Sequence, residues 1–252
     1  MFIPLLFTRI KHWLHIEHHR AKFEWYGGEP YPLALFPWRF ICDRWTWGDL
    51  GVYIARSRRI PTWTRGVEAL ALAQAAQALR TGAIIVEIGS FLGGSTVLLA
   101  GARKLRGSGE VHCIDPFDAS GEDFSAPVYR AISNTLPLSL RQQFERNIKQ
   151  AGVAEWVTIH QGRASEIAQS WIQQIDMLFL DGDQSCHGVC AAYDSWAPFL
   201  RAGGLIAIHN SDPRPYHEGH DGHRRLVEEI IQSPKYDEVW YVGTTTFARK
   251  IK

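Results

Sequence analysis

The sequence predicts an α/β fold: a doubly wound, mostly parallel seven-stranded sheet with a terminal antiparallel hairpin, preceded by an aromatic-rich N-terminal extension. Three observations carry this. From residue 64 onward, short β-branched runs alternate with helical-period segments, the pattern of parallel strands joined by crossover helices. A glycine-rich turn, Gly89 to Gly94, follows the first such run and opens a helix. The last two runs are separated by a tight turn at Gly243, which makes them antiparallel neighbours.

Residues 1–62 read as a separate, irregular segment. Trp13, Trp25, Trp38, Trp45 and Trp47 lie in it, with Trp63 beside it, and Gly27, Gly28, Pro30, Pro32 and Pro37 argue against a long helix. Dense aromatic side chains supply large apolar area with polar handles, so the segment is expected to act as a lid, a dimer arm or a surface-binding segment. The apolar run from Met1 to Phe7 is far short of the ~20 residues that span a membrane. Its basic residues, Arg9 and Lys11, follow it, the reverse of a signal peptide. Residues 1–14 suit an interfacial helix, so the expectation is a cytoplasmic protein with peripheral membrane contact through its N-terminus. His12, His15, His18 and His19 could share one helix face, which reads as solvated or as meeting an anionic partner rather than as a metal site.

Residues 63–252 read as the sheet domain. Ala69, Leu72, Ala73, Ala76 and Leu79 recur at helical spacing and predict a helix over 64–80. Strands are expected at 83–88, 110–114, 156–160, 175–180, 205–209, 237–242 and 245–251. Helices are expected at 94–104, 139–151 (closing at Gly152), 164–172, 186–199 and 223–233. Residues 118–137, with Asp118, Glu122, Asp123, Phe124 and Tyr129, are an insertion at the edge where ligands bind. In such sheets ligands sit beyond the carboxyl ends of the strands, which points to the residues after Ile88, Ile114, His160, Leu180 and Ile208.

Composition narrows the function. The 252 residues are 46% hydrophobic and 21% charged, an ordinary globular balance rather than a disordered one. With 27 Lys and Arg against 26 Asp and Glu, the net charge of +1 lacks the basic field of a nucleic-acid binder. Cys42, Cys113, Cys186 and Cys190 form neither a disulfide framework nor a zinc ribbon, which fits a reducing compartment; Cys186 and Cys190 read as buried small side chains.

The glycine loop discriminates among nucleotide chemistries. It reads Glu87-Ile88-Gly89-Ser90-Phe91-Leu92-Gly93-Gly94-Ser95-Thr96. A dinucleotide fingerprint needs glycine where Phe91 stands, and a phosphate loop needs lysine where Ser95 stands. A nucleoside cofactor without phosphates needs close backbone approach but no cation. Asp115, ending the next strand roughly 20 residues past Gly94, suits two ribose hydroxyls and would repel a 2′-phosphate.

The order Glu87, Gly89, Asp115, Gly162 and Asp181-Gly182-Asp183, with the runs 175–183 and 200–209, resembles the class I S-adenosylmethionine-dependent methyltransferases. The likeness is to the small-molecule, macrolide-sugar and catechol-type O-methyltransferase branch, over about residues 64–252. It implies a Rossmann-like sheet and S-adenosylmethionine as cofactor. By that resemblance Glu87, Gly89, Ser90, Gly93 and Ser95, in one loop with Phe91 and Gly94, line the amino-acid end of the cofactor. Asp115 holds the ribose, Pro116 and Phe117 flank the adenine, and Gly162, Arg163 and Ala164 border its other side. Asp181 stands beside the sulfonium and the acceptor, with Asp183 next to it.

Methyl transfer to a hydroxyl needs alignment and removal of a proton. The candidate bases are Asp181, Asp183, His187 and His209, with Asp181 and His209 favoured. Metal-dependent members of the branch add acidic residues after the fifth strand; here His209-Asn210 stand there, with Asp212 beyond. A site for Mg²⁺ at Asp181 and Asn210 is therefore the minority alternative. His217, His220 and His223 read as acceptor-binding rather than zinc-binding. The expected activity is O-methylation of a small-molecule or sugar hydroxyl, a polyhydroxylated metabolite included, by a homodimer. The alternatives are a non-catalytic S-adenosylmethionine-binding scaffold and a nucleotide-sugar or NAD enzyme on the same sheet.

Overall fold

The computed structural model describes residues 36–251, so the readings placed on Met1 to Leu14, on His12 to His19, and on Trp13 and Trp25 lie outside the described residues. The runs of β-branched and apolar residues form β1 (Ile84–Ile88), β2 (Glu110–Asp115), β3 (Val157–Gln161), β4 (Ile175–Leu180), β5 (Leu200–Ile208), β6 (Tyr236–Val242) and β7 (Thr245–Lys250). They hydrogen-bond in the order β3-β2-β1-β4-β5-β7-β6. β1 pairs in parallel with both β2 (Ile85 opposite Val111) and β4 (Ile88 opposite Leu180). β7 pairs antiparallel with β6 (Val242 opposite Thr245), the hairpin the sequence predicts, and on its other side with β5 (Ile208 opposite Thr246). Strand order reverses at β1, so a crevice opens between the carboxyl ends of β1 and β4.

The helices are α1 (Phe36–Trp47), α2 (Leu50–Ser57), α3 (Gly66–Ala78), α4 (Gly94–Arg106), α5 (Ala126–Thr135), α6 (Leu140–Gln150), α7 (Ala164–Ala168), α8 (Cys186–Trp196) and α9 (Gly222–Glu229). The two-residue period of the strands sorts their side chains between two cores. Ile85, Val111, Met177, Phe179 and Ala207 pack with α2, α3, α4 and α6 on one face of the sheet. Val86, Ile114, Leu178, Leu180 and Ile208 pack with α7, α8 and α9 on the other. Both faces of β1 and β4 are covered, which is why these strands are apolar on both faces apart from the buried Glu87 and Asp176.

Two expectations need correction. The irregular reading of residues 1–62 fails over 36–57, which form α1 and α2. Leu50, Tyr53, Ile54 and Ser57 make one buried stripe, and Tyr53 lies so close on α4 that a Cβ at Gly101 would sit 2.2 Å from its ring. The proline and glycine breakers all lie before or near the start of α1. Cys190 is exposed and Cys186 half-buried, because the buried stripe of α8 is Val189, Tyr193 and Trp196. The insertion at 118–137 carries a helix of its own, α5.

Candidate active site

The glycine loop is held from beneath by Glu87. Its carboxylate is fully buried and accepts hydrogen bonds from the hydroxyls of Ser90, Ser95 and Thr96 and, at 3.2 Å, from the Cys113 thiol. Burial pushes the Glu87 carboxyl above its ordinary pKa, partly offset by those donors. Glu87 therefore does not line the cofactor cavity, contrary to the sequence expectation; it ties the loop to the first turn of α4. Two more expected cofactor residues face away from the cavity. A Cβ at Gly93 would meet the Phe144 ring at 3.1 Å, so this residue turns toward α6. Phe117 is buried against Phe144, 5.2 Å between ring centroids.

The remaining predicted residues come together around one cavity of about 740 Å³ at the carboxyl edge of β1, β2, β4 and β5, a size suited to a small ligand. Gly89, Ser90, Phe91, Gly94 and Ser95 form one wall. Asp115 and Pro116 form the next, facing Gly162, Arg163 and Ala164. Asp181, Asp183, His209 and Asn210 close the far end. Gly89 takes φ +87°, and a Cβ there would lie 2.5 Å from the Asp181 carbonyl oxygen, so the loop rests directly on the end of β4.

Asp115 is oriented by backbone amides: Phe91 N–H donates to Oδ2 at 2.7 Å and Phe117 N–H to Oδ1 at 2.6 Å. Burial holds the carboxyl above its ordinary pKa against those amides. Each oxygen keeps an acceptor position beyond its amide. Asp115, Asp118, Asp181 and Asp183 stand on the cavity wall, while Arg163 is the one Lys or Arg among its described lining residues. This donor set suits a cationic nucleoside cofactor with free ribose hydroxyls and offers no basic side chain on the glycine loop for a pyrophosphate.

At the far end, burial raises the Asp181 carboxyl to about 7, with His209 opposing and Glu87, Glu68 and Glu122 adding to the rise. His209 is 2% exposed. Its Nδ1 lies 3.2 Å from Glu68 Oε1, and its Nε2 is buried without a hydrogen-bond partner. Asn210 donates from Nδ2 to Gln184 Oε1 at 3.1 Å. Asp183 accepts the Ser185 N–H at 2.9 Å, just ahead of α8, and His187 is exposed on the first turn of that helix and on the cavity wall.

The donor set does not fit Mg²⁺, which takes near-octahedral oxygen ligands: Asp181 is joined here by an imidazole and an amide. Among the described residues no three His, Cys, Asp or Glu side chains converge to hold a metal. Of the histidines after β5, His217 and His220 both pack on Phe124, with His220 on the cavity wall, while His223 turns to the His209 backbone. His220 Nδ1 bonds Glu122 Oε1 at 2.7 Å, His223 Nδ1 bonds the His209 carbonyl at 2.7 Å, and His217 stacks on Phe124.

Sequence reading missed Glu68, and it named the aromatic residues at this edge without pairing them. Trp63 meets Tyr129 edge-on at 5.5 Å, and Phe91 lies 5.0 Å from Tyr129, all three lining the cavity. The signal for Glu68 was present: it is a carboxylate adjoining the stripe of Ala69, Leu72, Ala73 and Ala76 that buries α3.

Comparison with known proteins agrees with this geometry. A family model described as a methyltransferase domain matches residues 86–211. Cofactor-bound Rv0187 from MTB superposes with a TM-score of 0.57 at 20% identity, over 83% of this chain and 94% of that one. The O-methyltransferase TomG from Streptomyces achromogenes, in complex with SAM and involved in tomaymycin synthesis, gives 0.54 at 21%, over 81% and 90%. An O-methyltransferase from Bacillus cereus, in complex with SAH, gives 0.54 at 18%, over 85% and 100%. The chain belongs to the methyltransferase domain family, with the Rossmann-like fold of the class I S-adenosylmethionine-dependent methyltransferases.

Proposed function

We propose that the protein transfers a methyl group from S-adenosylmethionine to a hydroxyl of a small molecule. The observation that carries this reading is the pairing, in one cavity, of an amide-oriented Asp115 with an Asp181–His209 end whose imidazole Nε2 has no partner.

When bound, S-adenosylmethionine supplies an electrophilic methyl group on a sulfonium and leaves as S-adenosylhomocysteine with the electrons of the broken S–C bond. Asp115 accepts from the ribose hydroxyls, and Ser90, Ser95 and the backbone at Gly89 receive the amino-acid end. Pro116, Gly162, Arg163 and Ala164 border the base. Asp181, when ionised, offsets the sulfonium charge. His209 Nε2 takes the proton of the acceptor hydroxyl as the oxygen becomes the nucleophile. Trp63, Phe91 and Tyr129 present flat apolar surface against which a ring of the acceptor stacks, an aryl or a sugar ring alike. Asp118, Ala119, Ser120, Gly121, Phe124 and Ser125 add a further wall to the same cavity.

The test is ligand-dependent thermal stability with S-adenosylhomocysteine, NAD and ATP in parallel. At about 100 times Kd a ligand adds ~2.7 kcal/mol, a rise of several degrees for a chain of this size. A rise with S-adenosylhomocysteine alone is expected. A rise with NAD instead would refute the reading. Turnover of S-adenosylmethionine against a panel of phenols and sugars, retained in EDTA, then separates an enzyme from a binding scaffold.

A further inference from the structure

We propose that Glu68 positions His209 for proton removal, forming a carboxylate–imidazole pair that leaves Nε2 as the free nitrogen at the reacting end of the cavity; this deepens the methyl-transfer reading above and rests on it.

Glu68 enters from α3, the helix before β1, and is 6% exposed. Its side chain reaches the end of β5 and the β6–β7 turn. Oε1 accepts from the Thr244 amide at 3.2 Å, the Thr244 hydroxyl at 2.7 Å and the Thr245 hydroxyl at 2.6 Å. The same oxygen lies 3.2 Å from His209 Nδ1. Each hydroxyl has one hydrogen, and both are given to Glu68. Thr244 Oγ1 and Thr245 Oγ1, each 3.3 Å from Nδ1, therefore face that nitrogen as acceptors. With the hydroxyls so turned, the acceptors around Nδ1 favour a hydrogen on that nitrogen. In the neutral imidazole the lone pair is then on Nε2.

The ring is held at its backbone as well. The His209 N–H donates to the Leu180 carbonyl at 3.0 Å, and the His209 carbonyl meets His223 Nδ1 at 2.7 Å. Nε2 is buried, without a partner, on a residue of the cavity wall. The charged and titratable groups facing the imidazole are Glu68 from α3, Asp181 after β4, Asp212 from its own loop and His223 from α9. A carboxylate that sets a tautomer and ring orientation acts through the histidine, so Glu68 is a positioning residue.

The experiment has two readouts on Glu68→Met, Glu68→Gln and Glu68→Asp in the full chain. Nitrogen-15 NMR of the His209 ring at alkaline pH reads the tautomer without any turnover. The wild type is expected as Nδ1–H with bare Nε2, and Glu68→Met as a mixture or as Nε2–H, because the freed threonine hydroxyls can donate. In kinetics, kcat is expected to fall about 100-fold in Glu68→Met with KM for the acceptor changed about threefold or less. Glu68→Gln keeps the acceptor and loses the charge, so it keeps the tautomer and loses about fivefold in kcat; Glu68→Asp recovers part of the Glu68→Met loss. Persistence of Nδ1–H in Glu68→Met overturns the pairing. A changed tautomer with unchanged kcat overturns the role in proton removal. If Glu68→Met does not fold, an unchanged kcat in Glu68→Gln overturns the proposal. Wild-type protein that turns over no hydroxyl acceptor overturns the methyl-transfer reading instead, and the NMR result stands apart from it.

Discussion

The backbone amide of Phe91 donates to Asp115 Oδ2 at 2.7 Å, joining the glycine loop after β1 to the end of β2. One carboxylate thereby shapes the loop and faces the cavity. Asp115→Ala should therefore lose on both counts. Removing a charged acceptor of two amides costs about 1–3 kcal/mol of stability. S-adenosylhomocysteine affinity should fall tenfold or more by calorimetry. Asp115→Asn, which keeps one acceptor oxygen, should recover part of the stability and little of the affinity. Equal affinity in Asp115→Ala and wild type would remove Asp115 from the ribose site.

Asp181 yields a pH-resolved prediction. Burial raises its carboxyl from 3.8 to about 7 in the folded protein. Ionising it inside the fold is thus unfavourable relative to the unfolded chain. The penalty is absent below about pH 4, grows between pH 4 and 7, and is complete above, where it reaches about 2–4 kcal/mol. Asp181→Asn should melt several degrees above wild type at pH 8 and level with it at pH 4. The same change should weaken S-adenosylmethionine more than S-adenosylhomocysteine, because only the former carries the sulfonium charge. Equal weakening of both would show that Asp181 does not face that charge.

Glu122 latches the loop before α5 to the segment after β5. It accepts from the Gln184 amide at 3.1 Å and pairs with His220 at 2.7 Å, beside the stacked Phe124 and His217. Burial would raise its carboxyl, but His220, Ser125 and the Gln184 amide bring it down to about 2. The stabilisation is therefore complete above about pH 4.5 and is lost as pH falls through about 2. Glu122→Ala should expose 118–125 to proteolysis and raise KM for the acceptor about tenfold with a smaller change in kcat. Unaltered proteolysis would show that the loop is held by its aromatic contacts alone.

How far the sequence reached follows from the range of each interaction. The strands, the switch point and the carboxyl-edge residues were legible because they rest on local period and on the glycine turn. Asp115, Asp181 and His209 were placed correctly at strand ends, since topology alone puts those ends together. Glu68 was not legible as a partner, because its contact with His209 crosses from α3 to β5 and depends on the β6–β7 turn. Glu87, expected at the cavity, is instead buried beneath the loop, and this was not legible for the same reason. Which way a strand-end carboxylate turns depends on the hydroxyls of Ser90, Ser95 and Thr96, and a spacing rule does not carry that direction. The helices of 36–57 were hidden by prolines and glycines that mostly precede them, while the stripe Leu50, Tyr53 and Ile54 was present to be read.

Gly89 gives the sharpest test of how loop and catalytic end are coupled. Its φ of +87° is a conformation that L side chains rarely adopt, and a Cβ would lie 2.5 Å from both the Asp181 carbonyl oxygen and Gly182 Cα. Neither neighbour can yield, since Asp181 N–H is bonded to the Ile88 carbonyl at 2.8 Å and Gly89 N–H to the Ile114 carbonyl at 2.9 Å. Gly89→Ala must push the loop away from β4, straining both strand ends at a cost of about 2–4 kcal/mol. Gly66→Ala is the control: its φ of +57° carries similar strain, but no atom lies within 4 Å of the new Cβ. Gly89→Ala should lower the urea midpoint more than Gly66→Ala does, and it alone should abolish the S-adenosylhomocysteine-dependent rise in melting temperature. If both variants bind the ligand equally, close backbone approach at Gly89 is a packing requirement of the sheet and not a requirement of the cofactor.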